Sequence, residues 1–202
     1  VRQVRARFDD HTITVYQAYS PAIAGPALRA GRFVPPFKPD RMTWIKPSFL
    51  WMMYRSGWAT KPGQERVLSI SITRAGFSWA LEQAALSSYD HRVHDSRATW
   101  QAALKAAPTR VQWDPERDLR LRELPDRSLQ LGLGPQAVPH YTNDWITEIR
   151  DATPLAHQIR ALLTTGDDAK AATLLPQETP YPLPPELMTR IAASPPARPR
   201  PA

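Results

Sequence analysis

The chain has 202 residues, 42% of them hydrophobic and 22% charged, which suits a globular protein large enough to bury a core. It contains no cysteine, which excludes disulfides, thiolate metal sites and a cysteine nucleophile. The 26 Lys and Arg against 19 Asp and Glu give a net charge of +7, favouring polyanionic or phosphorylated partners, and nucleic acid among them.

Arg, Ala and Pro are abundant, as in a high-GC bacterial genome, which raises the isoelectric point without any bound polyanion. No apolar run approaches the length of a membrane span, and Val1 to Arg7 lacks the pattern of a signal peptide, so the expected location is cytoplasmic, with no membrane contact.

Thr12 to Tyr19 is rich in β-branched and aromatic residues and predicts a strand. Its alternation places Ile13, Val15, Gln17 and Tyr19 on one face, so Gln17 is either a satisfied polar group among apolar neighbours or a ligand contact. Ser20 and Pro21 then cap and open a helix ending at Gly31, interrupted by Pro26. A Pro-rich loop leads to the densest stretch of the chain, Arg41 to Trp58. Met42 to Ile45 reads as a short strand. Pro47 and Gly57 bound a helix over 47–56 whose apolar run, Phe49 to Tyr54, leaves no polar face and predicts burial.

Arg66 to Thr73 alternates as a half-buried strand, and Thr73 caps a helix predicted over Ala75 to Leu86 with Phe77, Ala80, Leu81 and Ala84 on one stripe. His91 and His94 sit in the following loop without a third ligand at metal-binding spacing, so no metal is expected. A helix follows from Asp95 or Ser96 to Ala107. Thr109 to Trp113 is a strand, Asp114 to Asp118 a turn, and Leu119 to Leu124 and Ser128 to Leu133 further strands.

Gly134 and Pro135 open a helix in which Val138, Tyr141, Trp145 and Ile149 keep helical spacing. Thr153 and Pro154 start another, stopped at Gly166, and a short helix spans Asp168 to Leu175. From Pro176 onward proline dominates. The expected organisation is therefore one globular domain over 1–175, with a disordered Pro-rich tail over 176–202. Helices and strands mix without a βαβ rhythm, which predicts an α+β domain with a mixed, mainly antiparallel sheet around the buried helix.

Three segments carry a resemblance: Thr14-Val-Tyr-Gln-Ala-Tyr-Ser20, Arg41 to Trp58, and Val111-Gln-Trp-Asp-Pro-Glu-Arg-Asp118. Together they resemble the domain-of-unknown-function family numbered 4291, over about Arg5 to Thr153. A weaker resemblance is to ADP-ribosyltransferase folds. The strand and helix from Val15 to Phe33 are similar to the first motif of that fold, with Gln17 where it has His or Arg. Trp44 to Tyr54 is similar to the middle motif, and Glu116, or Asp114, follows Gln112 as the carboxylate of the last.

That resemblance implies an ADP-ribosyltransferase-like fold and NAD as the substrate. Breaking the nicotinamide–ribose bond builds positive charge on the sugar, which a carboxylate such as Glu116 stabilises. Lys46 is the second catalytic candidate, and Arg41 and Arg55 are placed to hold phosphates. Trp44 or Tyr19 would stack on a ring, with Gln17, Ser48 and Gln112 completing the binding set.

Each of these groups also has a plain structural role. Lys46 can snorkel from a strand end, Arg55 can complement its helix dipole, and Glu116 can join a solvated cluster with Arg110, Arg117 and Arg120. The competing functional class is a non-catalytic RNA- or DNA-binding module using aromatic stacking and Lys or Arg phosphate contacts. The apolar run of the central helix argues against a base-stacking surface there.

Overall fold

β-Branched residues alternating with small polar ones make strands of Thr12–Tyr19 and Arg66–Thr73, which pair antiparallel from Thr12↔Thr73 to Tyr19↔Arg66. The computed structural model describes residues 1–195. In chain order the elements are β1 (Arg5–Ala6), β2 (Thr12–Tyr19), α1 (Pro21–Ala30), β3 (Thr43–Ile45), α2 (Phe49–Ser56), β4 (Arg66–Thr73) and α3 (Arg74–Glu82). They continue with β5 (Ala84–Leu86), α4 (Arg97–Ala106), β6 (Thr109–Arg117), β7 (Glu123–Leu133) and α5 (Val138–His140). A π-helical turn, Tyr141–Trp145, leads into β8 (Ile146–Asp151), α6 (Thr153–Thr164), α7 (Asp168–Thr173), β9 (Thr179–Pro180) and α8 (Pro185–Arg190).

This is a single α+β domain. One sheet has the order β2-β4-β8 and another β3-β7-β6-β5, antiparallel except where β5 runs parallel to β6. The pleat of β2 and β4 divides the interior in two. Ile13 and Val15 with Leu68, Ile70 and Ile72 pack toward Leu129, Leu131 and Leu133 of β7 and Phe77 of α3. Tyr16 and Val67 point the other way, toward Phe49 and Met53 of α2 and Ala156 and Ile159 of α6. Burying each such Leu or Ile contributes about 1.5–3 kcal/mol, so both faces of this sheet are held by packing.

Several expectations are corrected. The central helix starts at Phe49 rather than Pro47, with Ser48 as its N-cap, and Gly57 ends it in the left-handed conformation at φ 59°. It is not apolar all round: Phe49, Trp51, Met52, Met53 and Ser56 are buried, but Tyr54 and Arg55 are exposed. α3 stops at Glu82, and Ala84–Leu86 pairs with β6 instead of continuing the helix. Asp114 to Arg117 is strand, not turn. Pro115, which lacks an N–H, sits beside the register shift between Pro115 and Arg117, where a missing donor is tolerated. The turn falls later, at Asp118 to Arg122, where Leu121 takes φ 61°. Ile149 lies in β8, so its helical spacing from Trp145 was coincidental.

The Pro-rich segment is the largest correction. Thr179 and Pro180 pair with Ala6 and Arg5, and Tyr181 N–H donates to Val4 O at 2.8 Å. Tyr181, Leu187, Ile191 and Ala192 are buried in the larger core. Proline suits this segment because much of it runs extended along the domain and needs few donors. Residues 196–202, the remainder of the expected tail, lie outside the described residues.

Candidate functional site

The backbone of Lys46 bridges the two main sheets: Tyr16 N–H donates to Lys46 O at 2.7 Å and Lys46 N–H to Tyr16 O at 3.3 Å. This draws the side chain inward, where it is only 1% exposed. It does not snorkel. Its Nζ donates to Asp114 Oδ2 at 2.9 Å and lies 3.8 Å from the Trp51 ring centroid. Burial lowers the ammonium pKa to about 8, against the opposing pull of Asp114 and Glu116. The other Asp114 oxygen, Oδ1, accepts from Gln112 Nε2 at 2.7 Å.

Gln112, Asp114 and Glu116 alternate along β6, and two of them, Asp114 and Glu116, accept from the segment that opens α2 while Gln112 donates to Asp114. Two residues beyond Lys46, Ser48 repeats the pattern. Its hydroxyl donates to Glu116 Oε1 at 2.8 Å and accepts from the Trp51 N–H at 3.2 Å. The Arg117 N–H adds a second bond to the same Glu116 oxygen at 2.9 Å. Glu116 is therefore tied to the N-cap of α2 rather than to a solvated arginine cluster. Arg117 lies 3.6 Å from the Tyr54 ring centroid, stacked on the exposed edge of α2.

Glu178, contributed by the Pro-rich segment, accepts from the Phe49 N–H at 2.7 Å. Two carboxylates thus meet at the start of one helix. Burial, joined by the charge of Glu116 and opposed by the Phe49 N–H and Arg5, pushes the Glu178 carboxyl up to about 8. At neutral pH this favours the protonated form. Ser48, Glu116 and Glu178 line a cavity of about 780 Å³ together with Arg5, Arg117 and Arg127, over a floor that includes Phe49, Leu50 and Leu124. Arg5 is anchored by a 2.8 Å bond from its guanidinium to Glu178 O.

A smaller cavity of about 360 Å³ is lined by Gln17, Tyr19, Arg41, Trp44 and Arg55, with Trp51 and Gln130. The sequence-derived site residues therefore divide. Gln17, Tyr19, Arg41, Trp44 and Arg55 converge here, whereas Ser48 and Glu116 line the larger cavity. Lys46 and Gln112 line neither and meet at Asp114.

Gln17 is a satisfied polar group. Its Nε2 donates to Tyr19 Oη at 2.9 Å and Trp44 O at 3.0 Å, and its Oε1 accepts from Tyr141 Oη at 2.7 Å. Burial pushes the Tyr19 phenol up to about 12, with Thr43 and Gln17 pulling the other way.

Glu178 and Arg5 line the larger cavity and Gln130 the smaller, and none of the three is among the sequence-derived candidates. Glu178 lies 129 residues from the N–H it caps, and nothing local marks it. Gln130 carried a usable signal: it is a polar position between Leu129 and Leu131, and it pairs directly with Gln112. Among the described residues no group of three His, Asp or Glu is placed to hold a metal, and no helix is long and apolar enough to cross a membrane.

Residues 3–181 match the family model described as Domain of unknown function (DUF4291), and the chain belongs to that family. The match reaches past Thr153 to Tyr181, so it takes in β9 and Glu178. No curated protein matches the chain.

Proposed function

We propose, for this member of a family without an assigned activity, that the larger cavity is the active site of an enzyme that transfers a glycosyl group from a nucleotide, with NAD the first donor to test. The observation that carries this reading is the pair Glu116 and Glu178 at the start of α2, inside a cavity edged by Arg5, Arg117 and Arg127. Two carboxylates whose environments differ divide the work of charge stabilisation and proton donation. Three guanidinium groups suit the pyrophosphate of a dinucleotide.

In that reaction the bond between ribose C1′ and the nicotinamide nitrogen breaks, and its electron pair leaves with nicotinamide. The positive charge that builds on the sugar is stabilised by the Glu116 carboxylate, held in place by Ser48 and the Arg117 N–H. The acceptor's oxygen or nitrogen then bonds C1′ and loses its proton to a carboxylate. Glu178, in the protonated form favoured at neutral pH, donates a hydrogen bond to an oxygen of the donor. The net charge of +7 names nucleic acid as one acceptor class. Lys46 takes no direct part and acts as a positioning residue through Asp114 and the strand that carries Glu116.

The test is nicotinamide release from NAD, alongside thermal melting with millimolar NAD. Release that falls by a factor of about 10² or more in Glu116→Gln, with NAD raising the melting temperature of both proteins, supports the reading. Absence of both release and any melting shift overturns it.

A further inference from the structure

The smaller cavity differs in chemistry from the one that holds Glu116. No carboxylate lines it. Lys38, Arg41 and Arg55 stand exposed at its rim, and none of them has an acidic partner among the described residues. Its wall includes the rings of Tyr19, Trp44 and Trp51.

Two of those rings are fixed from behind. A Cβ at Gly132 would come within 2.8 Å of Trp44, so the indole rests against bare backbone, and Lys46 holds Trp51 from 3.8 Å. While the Gln17 amide is fully engaged, the side-chain amides of Gln64 and Gln130 make no hydrogen bond to another described residue.

We infer that this cavity is a second ligand site, taking an aromatic base that carries a phosphate. A planar ring packs against Trp44, where an already positioned indole loses little freedom on binding. Unengaged amides offer both donors and acceptors to the edge of a heterocycle. The cationic rim, with no carboxylate to compete, takes the phosphate. A cationic ring would be disfavoured by that rim. The volume of about 360 Å³ suits a ligand of mononucleotide size.

The same chemistry is presented by a free mononucleotide and by one nucleotide of a single strand. Neither the site nor its test depends on glycosyl transfer at Glu116, since the two cavities have separate linings.

Isothermal titration of the full chain with AMP, UMP, adenosine and a six-nucleotide single-stranded RNA tests the inference. Saturable binding of AMP or UMP is expected, weakened at least tenfold for adenosine and in the Arg41→Ala/Arg55→Ala double variant, and unchanged in Glu116→Gln. Both arginines are exposed, so the double variant retains the fold. If the hexanucleotide binds and the mononucleotides do not, with the same dependence on Arg41 and Arg55, the site takes its base from a strand.

A Gln130→Ala variant should alter the preference between AMP and UMP more than it alters phosphate dependence. Failure of every nucleotide probe to bind overturns the inference. So does binding that survives in the double arginine variant, or binding lost in Glu116→Gln alone, which would place the ligand in the other cavity.

Discussion

The ammonium of Lys46 meets the carboxylate of Asp114 at 2.9 Å, joining the start of α2 to a strand 68 residues away with almost no water around the cation. Such a pair contributes little when intact, because removing both charges from water costs nearly what their attraction returns. Its consequences appear when one partner is lost.

Replacing Lys46 with Met leaves Asp114 with Gln112 as its remaining side-chain donor. A loss of about 3–5 kcal/mol is expected from urea unfolding, as for other broken buried pairs. The Lys46→Met/Asp114→Leu double variant should recover most of it. A double variant no more stable than Lys46→Met would show that the pair is not the coupling between these elements.

The same lysine sets a pH dependence. Its folded pKa, about 8, lies below the ordinary value of 10.5, so between those limits the unfolded chain binds more protons. Lys46 therefore contributes a rise in stability as pH increases above about 8. Near pH 10 the buried phenols of Tyr16, Tyr19 and Tyr141 begin to oppose it, because their folded pKa values are raised. Urea midpoints from pH 8 to 9.5 should climb in the wild type relative to Lys46→Met.

Glu178 acts in the opposite direction and at lower pH. Its folded pKa is raised from 4.5 to about 8, so the folded chain holds a proton that the unfolded chain has released. Its contribution is full below about 4.5 and is lost as pH rises to about 8. Melting temperatures across that window should fall less steeply in Glu178→Gln than in the wild type. Parallel profiles would mean that Glu178 ionises normally.

Gly76 offers a packing test at a residue that lines neither cavity. A Cβ there would approach the Trp145 ring to 2.3 Å, and that ring is buried. Gly76→Ala must displace the indole or shift α3. The expected cost is about 1–3 kcal/mol, despite alanine's better helix propensity. A neutral or stabilising result in a denaturant melt would require Trp145 to move freely.

How far the chain could be read depended on whether its signals were local. Thr12–Tyr19 and Arg66–Thr73 were legible in full because alternation is imposed residue by residue on a strand with two packed faces. The Ser48 cap and Gly57 stop show a limit even there, since Pro47 looked like the better start for α2. Asp114 to Arg117 was misread because Pro115 resembles a turn signal unless the neighbouring register shift is known. Tyr19, Arg41, Trp44 and Arg55 stood out because aromatics and cations cluster near β2, β3 and α2, and Gln17 because it shares a strand face with apolar neighbours; the fold brings all five to the smaller cavity. Glu178 was hidden, since its significance comes from a backbone N–H in another element.

The Pro-rich segment carries a further test of the fold. Ile191 is fully buried, and its carbonyl accepts from Trp113 Nε1 at 2.7 Å. Ile191→Ala should cost about 2–5 kcal/mol by urea denaturation, as for a core position. A change within 0.5 kcal/mol would restore the view of this stretch as an appendage.

That segment also bears on how the protein is made. Strand β9 lies against β1, and Leu187, Ile191 and Ala192 fill a core whose other walls were synthesised first. Contacts of such long sequence separation form late, after loop closure has brought the two ends together. While the ribosome still holds residues near Ile191, the nascent chain exposes the apolar surface they will cover. Completion of this fold therefore waits for this segment, and the interval before it docks is when the chain is most open to chaperones and to aggregation.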